Sequence, residues 1–309
     1  MSGRVLVTGC SGFVGTRLCA HLDSQGYEVF GCDIVIPQPA PNRRICDLAQ
    51  EESVSQAVQW AAPFDAILHL AAITFVPEAT KNPDRVVDIN FQGTVRMIEA
   101  VQAHAAEARF VFVSSSEVYG VPQSLPVTEA HALAPENPYA ITKASADQHC
   151  RLCFEASEMN VVRMRPFNHS GPGQSSDFVL SSFARQIAEI ESGKRDPILR
   201  VGNLDAARDF SHVDDIIRAY EGVLSGAEAG EAYNICSGQS YRIADALDLL
   251  IGMSSATVSA EVDPEKLRDI DVPEIRGSHE KLTAATGWKP ELPFERILDD
   301  LLAYWRSNV

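Results

Sequence analysis

The sequence predicts an α/β protein: a doubly wound parallel sheet covered by helices on both faces, with a smaller mixed α/β lobe toward the C-terminus. Two observations carry that expectation. Through the first two-thirds of the 309 residues, short β-branched runs alternate with longer helical patterns, and such alternation builds a parallel sheet buried on both faces. After about Pro166 the rhythm breaks, and the remaining pieces are too short for a second sheet of comparable size. The expected division assigns residues 1–165 to a dinucleotide-binding domain, to which a segment near 204–236 returns, and residues 166–309 mainly to a substrate lobe.

The first strand, expected over Arg4–Val7, runs into a glycine-rich turn, Thr8-Gly9-Cys10-Ser11-Gly12-Phe13-Val14-Gly15, ahead of a helix over Val14–Ser24. Gly9 allows the tight turn, Gly12 lets a pyrophosphate approach the backbone, and Gly15 lets helix pack on strand. The helix N-terminus then meets the anion with free N–H groups. This is the signature of a Rossmann fold. A second strand, Glu28–Cys32, ends at Asp33, where a carboxylate accepts hydrogen bonds from the adenosine ribose hydroxyls and repels a 2′-phosphate. NAD(H) is therefore favoured over NADP(H), although Arg43 and Arg44 lie near enough in sequence to reverse the preference. Asp47 and Leu48 are placed to contact adenine; capping of the following helix, Glu51–Ala61, is an equally good reading of Asp47. The third strand, Ala66–Ala71, brings the small residues Ala71 and Ala72 where adenosine and pyrophosphate can approach.

A helix over Thr94–Ala106 leads to the strand Phe110–Ser114, which enters Ser115-Ser116-Glu117. Tyr139 and Lys143, four residues apart, share one face of the helix expected over Ala140–Met159. An ammonium beside a phenol favours phenolate, so Lys143 is expected to lower the Tyr139 pKa toward the range of a useful proton donor. Ser115 can hold a reacting carbonyl. The strand Val161–Arg165 closes the alternation. A loop rich in Gly, Pro and Ser follows over His169–Asp177, then a helix and a short strand near Leu199. Arg208 and Arg268 sit in polar loops where guanidinium forks suit a diphosphate, and Asn168 and Asp271 offer groups for a purine edge and ribose hydroxyls.

A net charge of −16 argues against nucleic acid or an anionic membrane as partner, but not against an anionic substrate held by a few placed arginines. No basic start precedes an apolar run, and no run is long enough to span a bilayer, so the expected compartment is the cytoplasm. The seven cysteines (Cys10, Cys19, Cys32, Cys46, Cys150, Cys153 and Cys236) are scattered and read as buried free thiols, and the eight histidines lack ligand spacing, so no metal is expected.

Thr8-Gly9-x-x-Gly12-x-x-Gly15, the serine run and Tyr139-x-x-x-Lys143 resemble the extended short-chain dehydrogenase/reductase superfamily. Within it, Arg165-Pro166-Phe167-Asn168-His169, Gly202-Asn203-Leu204-Asp205 with Arg208-Asp209-Phe210, and Thr286-Gly287-Trp288 resemble the branch that processes GDP-mannose. The resemblance implies Ser115, Tyr139 and Lys143 as catalytic residues. Cofactor contacts would extend to Ser11, Phe13, Val14, Leu70, Asn90 and Pro166, and substrate contacts to Phe178 and Val179. It further implies a homodimer built through a four-helix bundle of Thr94–Ala106 and Ala140–Met159, and a GDP-linked deoxyhexose as substrate. The activity it implies is NAD(P)H-dependent reduction of the C4 ketone of GDP-4-keto-6-deoxy-D-mannose to GDP-D-rhamnose. GDP-mannose 4,6-dehydration is the rival, because Glu117 stands where dehydratases of the branch carry a base. Against it, Ser115 replaces their usual threonine, the loop Ser170–Ser176 lacks their Pro-Arg-Arg-Gly run, and the chain is shorter. An epimerase or decarboxylase of the superfamily, and a silent NAD(P)-binding sensor, remain more distant alternatives; a sensor has no need of a tuned tyrosine.

Overall fold

Strands buried on both faces need apolar residues at every position, and the strands of the main sheet largely meet that demand. In the computed structural model, which describes residues 3–266 and 272–309, the strands are β1 (Arg4–Thr8), β2 (Glu28–Asp33), β3 (Arg43–Ile45), β4 (Ala66–His69), β5 (Arg109–Val113), β6 (Val161–Pro166), β7 (Asn168–Ser170), β8 (Ile198–Val201), β9 (Ala207–His212), β10 (Ala232–Ile235), β11 (Ser240–Arg242), β12 (Ser259–Val262) and β13 (Glu274–Ile275). Helices α1 (Phe13–Ser24), α2 (Glu51–Ala61), α3 (Val76–Lys81) and α4 (Pro83–Val86) precede a π-helical segment, Val87–Gln92, that passes into α5 (Gly93–His104). They are followed by α6 (Pro138–Ser157), α7 (Val179–Glu191), α8 (Val213–Gly226), α9 (Ile243–Gly252), α10 (Glu280–Thr286) and α11 (Phe294–Arg306).

Seven strands form one parallel sheet in the order β10-β6-β5-β4-β1-β2-β3. The chain winds outward from β1 in one direction through β2 and β3, then restarts at β4 on the other side. The crevice at that reversal, beyond the C-terminal ends of β1 and β4, is where a doubly wound sheet binds ligands. Val5 and Val7 pack toward Leu18 and Leu22 of α1 and Ile216 and Tyr220 of α8. Leu6, between them, packs on the other face with Val54 and Val58 of α2 and Met97 of α5. Each such fully buried aliphatic side chain contributes roughly 1.5–3 kcal/mol. A four-stranded group (β7, β9, β11 and β13) and the pair β8–β12 make up the other sheets, over a core shared by α7, α9 and α11. Within 204–236, α8 and β10 join the large sheet layer, whereas β9 lies in the four-stranded group.

Strand β4 stops at His69, short of the Ala71 expected for it, because a side-chain hydrogen-bond chain takes over there. The Ala71 N–H donates to Thr8 Oγ1 at 3.1 Å, while that hydroxyl donates to His69 Nδ1 at 2.9 Å. On the far side of the ring, Thr94 donates to the Asn90 carbonyl at 2.7 Å, which leaves its oxygen to accept from His69 Nε2 at 3.2 Å. The chain of donors is complete only with a neutral imidazole, and burial holds the His69 pKa down to about 3. The backbone thus turns out of the sheet at Leu70–Ala72, into the crevice.

Strand β6 departs from the apolar rule at Arg163 and Arg165. Both reach Asp147 on α6: Arg163 through one bond at 2.9 Å, Arg165 through a fork at 2.9 and 2.8 Å. All three are buried. Arg165 also donates to the Tyr119 hydroxyl at 2.9 Å, which donates to Asn234 of β10 at 2.7 Å. This network fixes the register of α6 against the sheet, one helical turn beyond Lys143.

Candidate active site

The glycine turn is shaped by steric exclusion. Gly9 has φ +69°, and a Cβ there would stand 3.0 Å from the Ala71 nitrogen; a Cβ on Gly15 would stand 1.9 Å from the Gly9 carbonyl oxygen. Gly12 is the N-cap of α1, and no described side chain caps that terminus, so its first N–H groups are left for a ligand. Asp33 is held at the end of β2 by the Ser11 N–H at 2.9 Å and the Ile34 N–H at 2.7 Å.

Beside this turn lies a cavity of about 1210 Å³. Gly9, Gly12, Phe13, Val14, Gly15 and Asp33 line it, together with Leu48, Leu70, Ala71 and Ala72. Ser115, Glu117, Tyr139, Lys143 and Pro166 share the same wall, and Asn168, Phe178, Val179 and Arg208 enclose it from the later part of the chain. An uncapped helix end, a glycine cradle and a fixed carboxylate suit a dinucleotide, and the cavity is large enough to hold a second ligand beside it.

Three expected cofactor residues, Ser11, Asn90 and Asp47, are not among those lining the cavity. The Ser11 backbone is engaged with Asp33. Asn90 is buried and clamps Ile73, accepting its N–H at 2.8 Å and donating to its carbonyl at 2.9 Å; its contribution is to the shape of the loop after β4. Asp47 accepts from the Ala49 N–H at 3.0 Å in a local turn. Nor does Asp47 cap α2, whose N-cap is Gln50. Arg268 and Asp271 lie outside the described residues.

Helix α6 begins with Pro138, a residue suited to the first helical position, and Asn137 caps it by accepting the Ala140 N–H at 2.9 Å. Tyr139 and Lys143 are thereby buried on the face that meets β5. Lys143 donates to the Val113 carbonyl at 2.7 Å, and burial lowers its pKa to about 8. The lowered Tyr139 pKa expected from the sequence is not found. Burial, and secondly the charge of Glu117, push the phenol upward against a hydrogen bond with Ser115 that pulls it down. Ser115 also accepts the Glu117 N–H at 3.2 Å, starting the short 3₁₀ turn Ser116–Tyr119.

Neither Asn137, which reaches a residue of the cavity wall, nor His169, which lines it, is in the sequence-derived set. Asn137 donates from Nδ2 to Glu117 Oε2 at 2.8 Å; the Asn-Pro pair marks a helix start, but its reach to Glu117 depends on tertiary structure. His169 lines the cavity and stacks on Phe13, the ring planes 5° apart and the centroids 6.3 Å apart. Its Nδ1–H donates to the Phe167 carbonyl at 3.0 Å, and burial lowers its pKa, so the ring is neutral with Nε2 an acceptor. Arg208 spends one nitrogen on the Ala207 and Val272 carbonyls, at 2.8 and 2.6 Å. Arg17 of α1 donates to the Pro172 carbonyl at 3.0 Å and pairs with Asp214 at 3.2 Å, tying the cofactor-side helix to the loop after β7.

The profile of the family described as GDP-mannose 4,6 dehydratase matches residues 6–301 of the chain. The chain is 38% identical to the GDP-6-deoxy-D-mannose reductase of Pseudomonas aeruginosa, over 100% of its own length and 99% of the relative's. Among solved structures, RMD from Pseudomonas aeruginosa complexed with NADPH is similar at a TM-score of 0.89 and 37% identity, with 100% of this chain and 99% of that one covered. The Thermus thermophilus UDP-glucose 4-epimerase in complex with NAD is similar at a TM-score of 0.87 and 26% identity, with 99% and 100% covered.

Proposed function

Because the chain belongs to the GDP-mannose 4,6-dehydratase family, we propose that it is a nicotinamide-dependent oxidoreductase that reduces the C4 ketone of GDP-4-keto-6-deoxy-D-mannose to GDP-D-rhamnose. The observation that carries this reading is the meeting of Ser115, Tyr139 and Lys143 on one wall of the cavity beside the glycine turn, in a chain similar along its whole length to a reductase. A nicotinamide cofactor bound over Gly9–Gly15 supplies the hydride. Tyr139 donates the proton to the oxygen at C4, and Ser115 hydrogen-bonds that oxygen. The raised Tyr139 pKa suits this direction, since it keeps the phenol protonated until alkoxide charge develops. Lys143 holds positive charge below Tyr139 on the same helix face. Asn168, Phe178, Val179 and Arg208 take the GDP-sugar, and the sequence adds Arg268 and Asp271 to that set.

NAD(H) is the preferred cofactor in this reading. Relatives hold NADPH in one case and NAD in another, so the preference rests on this chain's own residues. Asp33 faces the cavity, while Arg43 donates to the Val29 and Asn42 carbonyls and Arg44 is engaged with Gln56 and the Trp60 ring. The protein acts as a cytoplasmic homodimer, α5 and α6 of two copies packing as a four-helix bundle. Ile141 and Leu152, 48% and 51% exposed on α6, supply apolar surface for it, and no described helix is long and apolar enough to cross a membrane.

Glu117 on the cavity wall favours dehydration as the second reading. Nicotinamide absorbance followed with GDP-4-keto-6-deoxy-mannose, and with GDP-mannose in parallel, separates the two. Oxidation of NADH with the keto sugar alone supports the reductase. Conversion of GDP-mannose without net cofactor oxidation would replace it with the dehydratase.

A further inference from the structure

We propose that Asn137 is a positioning residue for this reaction, its two amide arms locking the Glu117 carboxylate to the start of the helix that carries Tyr139 and Lys143. The inference rests on the reading of the cavity as the site of reduction.

A helix start needs only an acceptor, and Ser, Thr, Asp and Asn provide one about equally well. At Asn137 the second arm is also in use: Oδ1 accepts from the Ala140 N–H at 2.9 Å, and Nδ2 donates to Glu117 Oε2 at 2.8 Å. Of the good capping residues only Asn carries an acceptor and a donor on one rigid plane. The orientation of that amide is determined by its partners. Turned over, it would set a donor against the Ala140 N–H and an acceptor against the carboxylate.

Glu117 is therefore held at both ends, its backbone N–H by Ser115 at 3.2 Å and its carboxylate by Asn137. Oε1 makes no hydrogen bond to a described residue, and the side chain lines the cavity. With one oxygen occupied and the other fixed in place, Glu117 presents a single directed acceptor to a hydroxyl of the sugar. The same tie fixes the distance between the turn bearing Ser115 and the helix bearing Tyr139, the two elements that must converge on one oxygen.

The test uses variants that keep the cap and lose the amide donor, Asn137→Ser and Asn137→Asp, beside Asn137→Ala, Glu117→Ala and the double variant Glu117→Ala/Asn137→Ser. The serine variant should unfold at close to the wild-type temperature, whereas the aspartate variant, which sets a second carboxylate against Glu117, should unfold lower. For the keto sugar, their kcat/KM should fall about 10- to 100-fold, as expected for a displaced reacting group, with the KM for NADH unchanged. The double variant should be no worse than Glu117→Ala alone, since the two changes break one interaction. Wild-type kinetics in both cap-preserving variants, or losses that multiply in the double variant, would reduce Asn137 to a helix cap. Should the wild type reduce no keto sugar, the reaction assignment fails by itself. The proposal is then decided by geometry: a crystal structure of Asn137→Ser should show the Glu117 carboxylate displaced from its wild-type place beside residue 137, and an unmoved carboxylate overturns it.

Discussion

Lys143 is a buried ammonium bonded to a main-chain carbonyl, and its pKa of about 8 has two measurable consequences. Since kcat/KM reports groups of the free enzyme, it should decline as pH rises through about 8, where the side chain loses its charge. The unfolded chain keeps this proton up to an ordinary lysine pKa of about 10.4. Between those values the unfolded state binds more protons than the native one, so native stability rises with pH, by about 3 kcal/mol over the interval. Denaturant unfolding at pH 7.5 and pH 10 should show wild type gaining on Lys143→Met by that order; parallel behaviour would mean that the ammonium is not desolvated. At Asp33, exchange of the carboxylate for an amide removes the repulsion of a 2′-phosphate. Asp33→Asn should raise the NADPH-to-NADH ratio of kcat/KM by about tenfold, one like-charge contact's worth; an unchanged ratio would locate the preference elsewhere. That Asp33, the three glycines, Tyr139 and Lys143 line one cavity is legible in the sequence because the spacing that groups them is local. The direction of the Tyr139 shift is not, because burial and the approach of Glu117 arise only from folding.

Elements are legible where periodicity is strong. Helix α2 has the span expected of it, and α1, α5 and α6 differ from expectation by one or two residues at their ends. Edge strand β3 is hidden in the sequence because three residues, two of them arginines, carry no alternating pattern. The early end of β4 depends on the Thr8–His69–Thr94 chain, which joins residues far apart in sequence. Strand β6 is expected as a strand of the sheet, but the shared counter-charge of its two arginines comes from α6, which the sequence does not place beside them. Replacing Asp147 with Asn leaves both guanidinium groups buried beside a neutral amide. Removing one partner of a buried ion pair costs about 3–5 kcal/mol, so Asp147→Asn should lose at least that much in urea unfolding, with activity falling as α6 loosens. A loss below about 1 kcal/mol, the worth of an exposed pair, would show that water reaches the network.

At the scale of the whole molecule, the exposed Ile141 and Leu152 make assembly testable. Introducing charge at both, Ile141→Glu with Leu152→Glu, should convert a dimer to a monomer in light scattering while leaving the far-UV spectrum unchanged; a dimer that persists would place the interface on another face. The alternation of elements is enough to anticipate a doubly wound sheet, but the partner of each late strand is beyond it. Nothing local in Ala232–Ile235 says that it lies beside β6. That pairing has a consequence for how the chain comes to be folded. During synthesis six strands can assemble as soon as they emerge, but the long, buried edge of β6 stays bare until Ala232 has been made. An edge of unpaired backbone N–H and C=O groups is a template for the wrong neighbour. Nascent chains stalled between residues 166 and 232 should therefore be the sticky ones, held by chaperones or lost to aggregates.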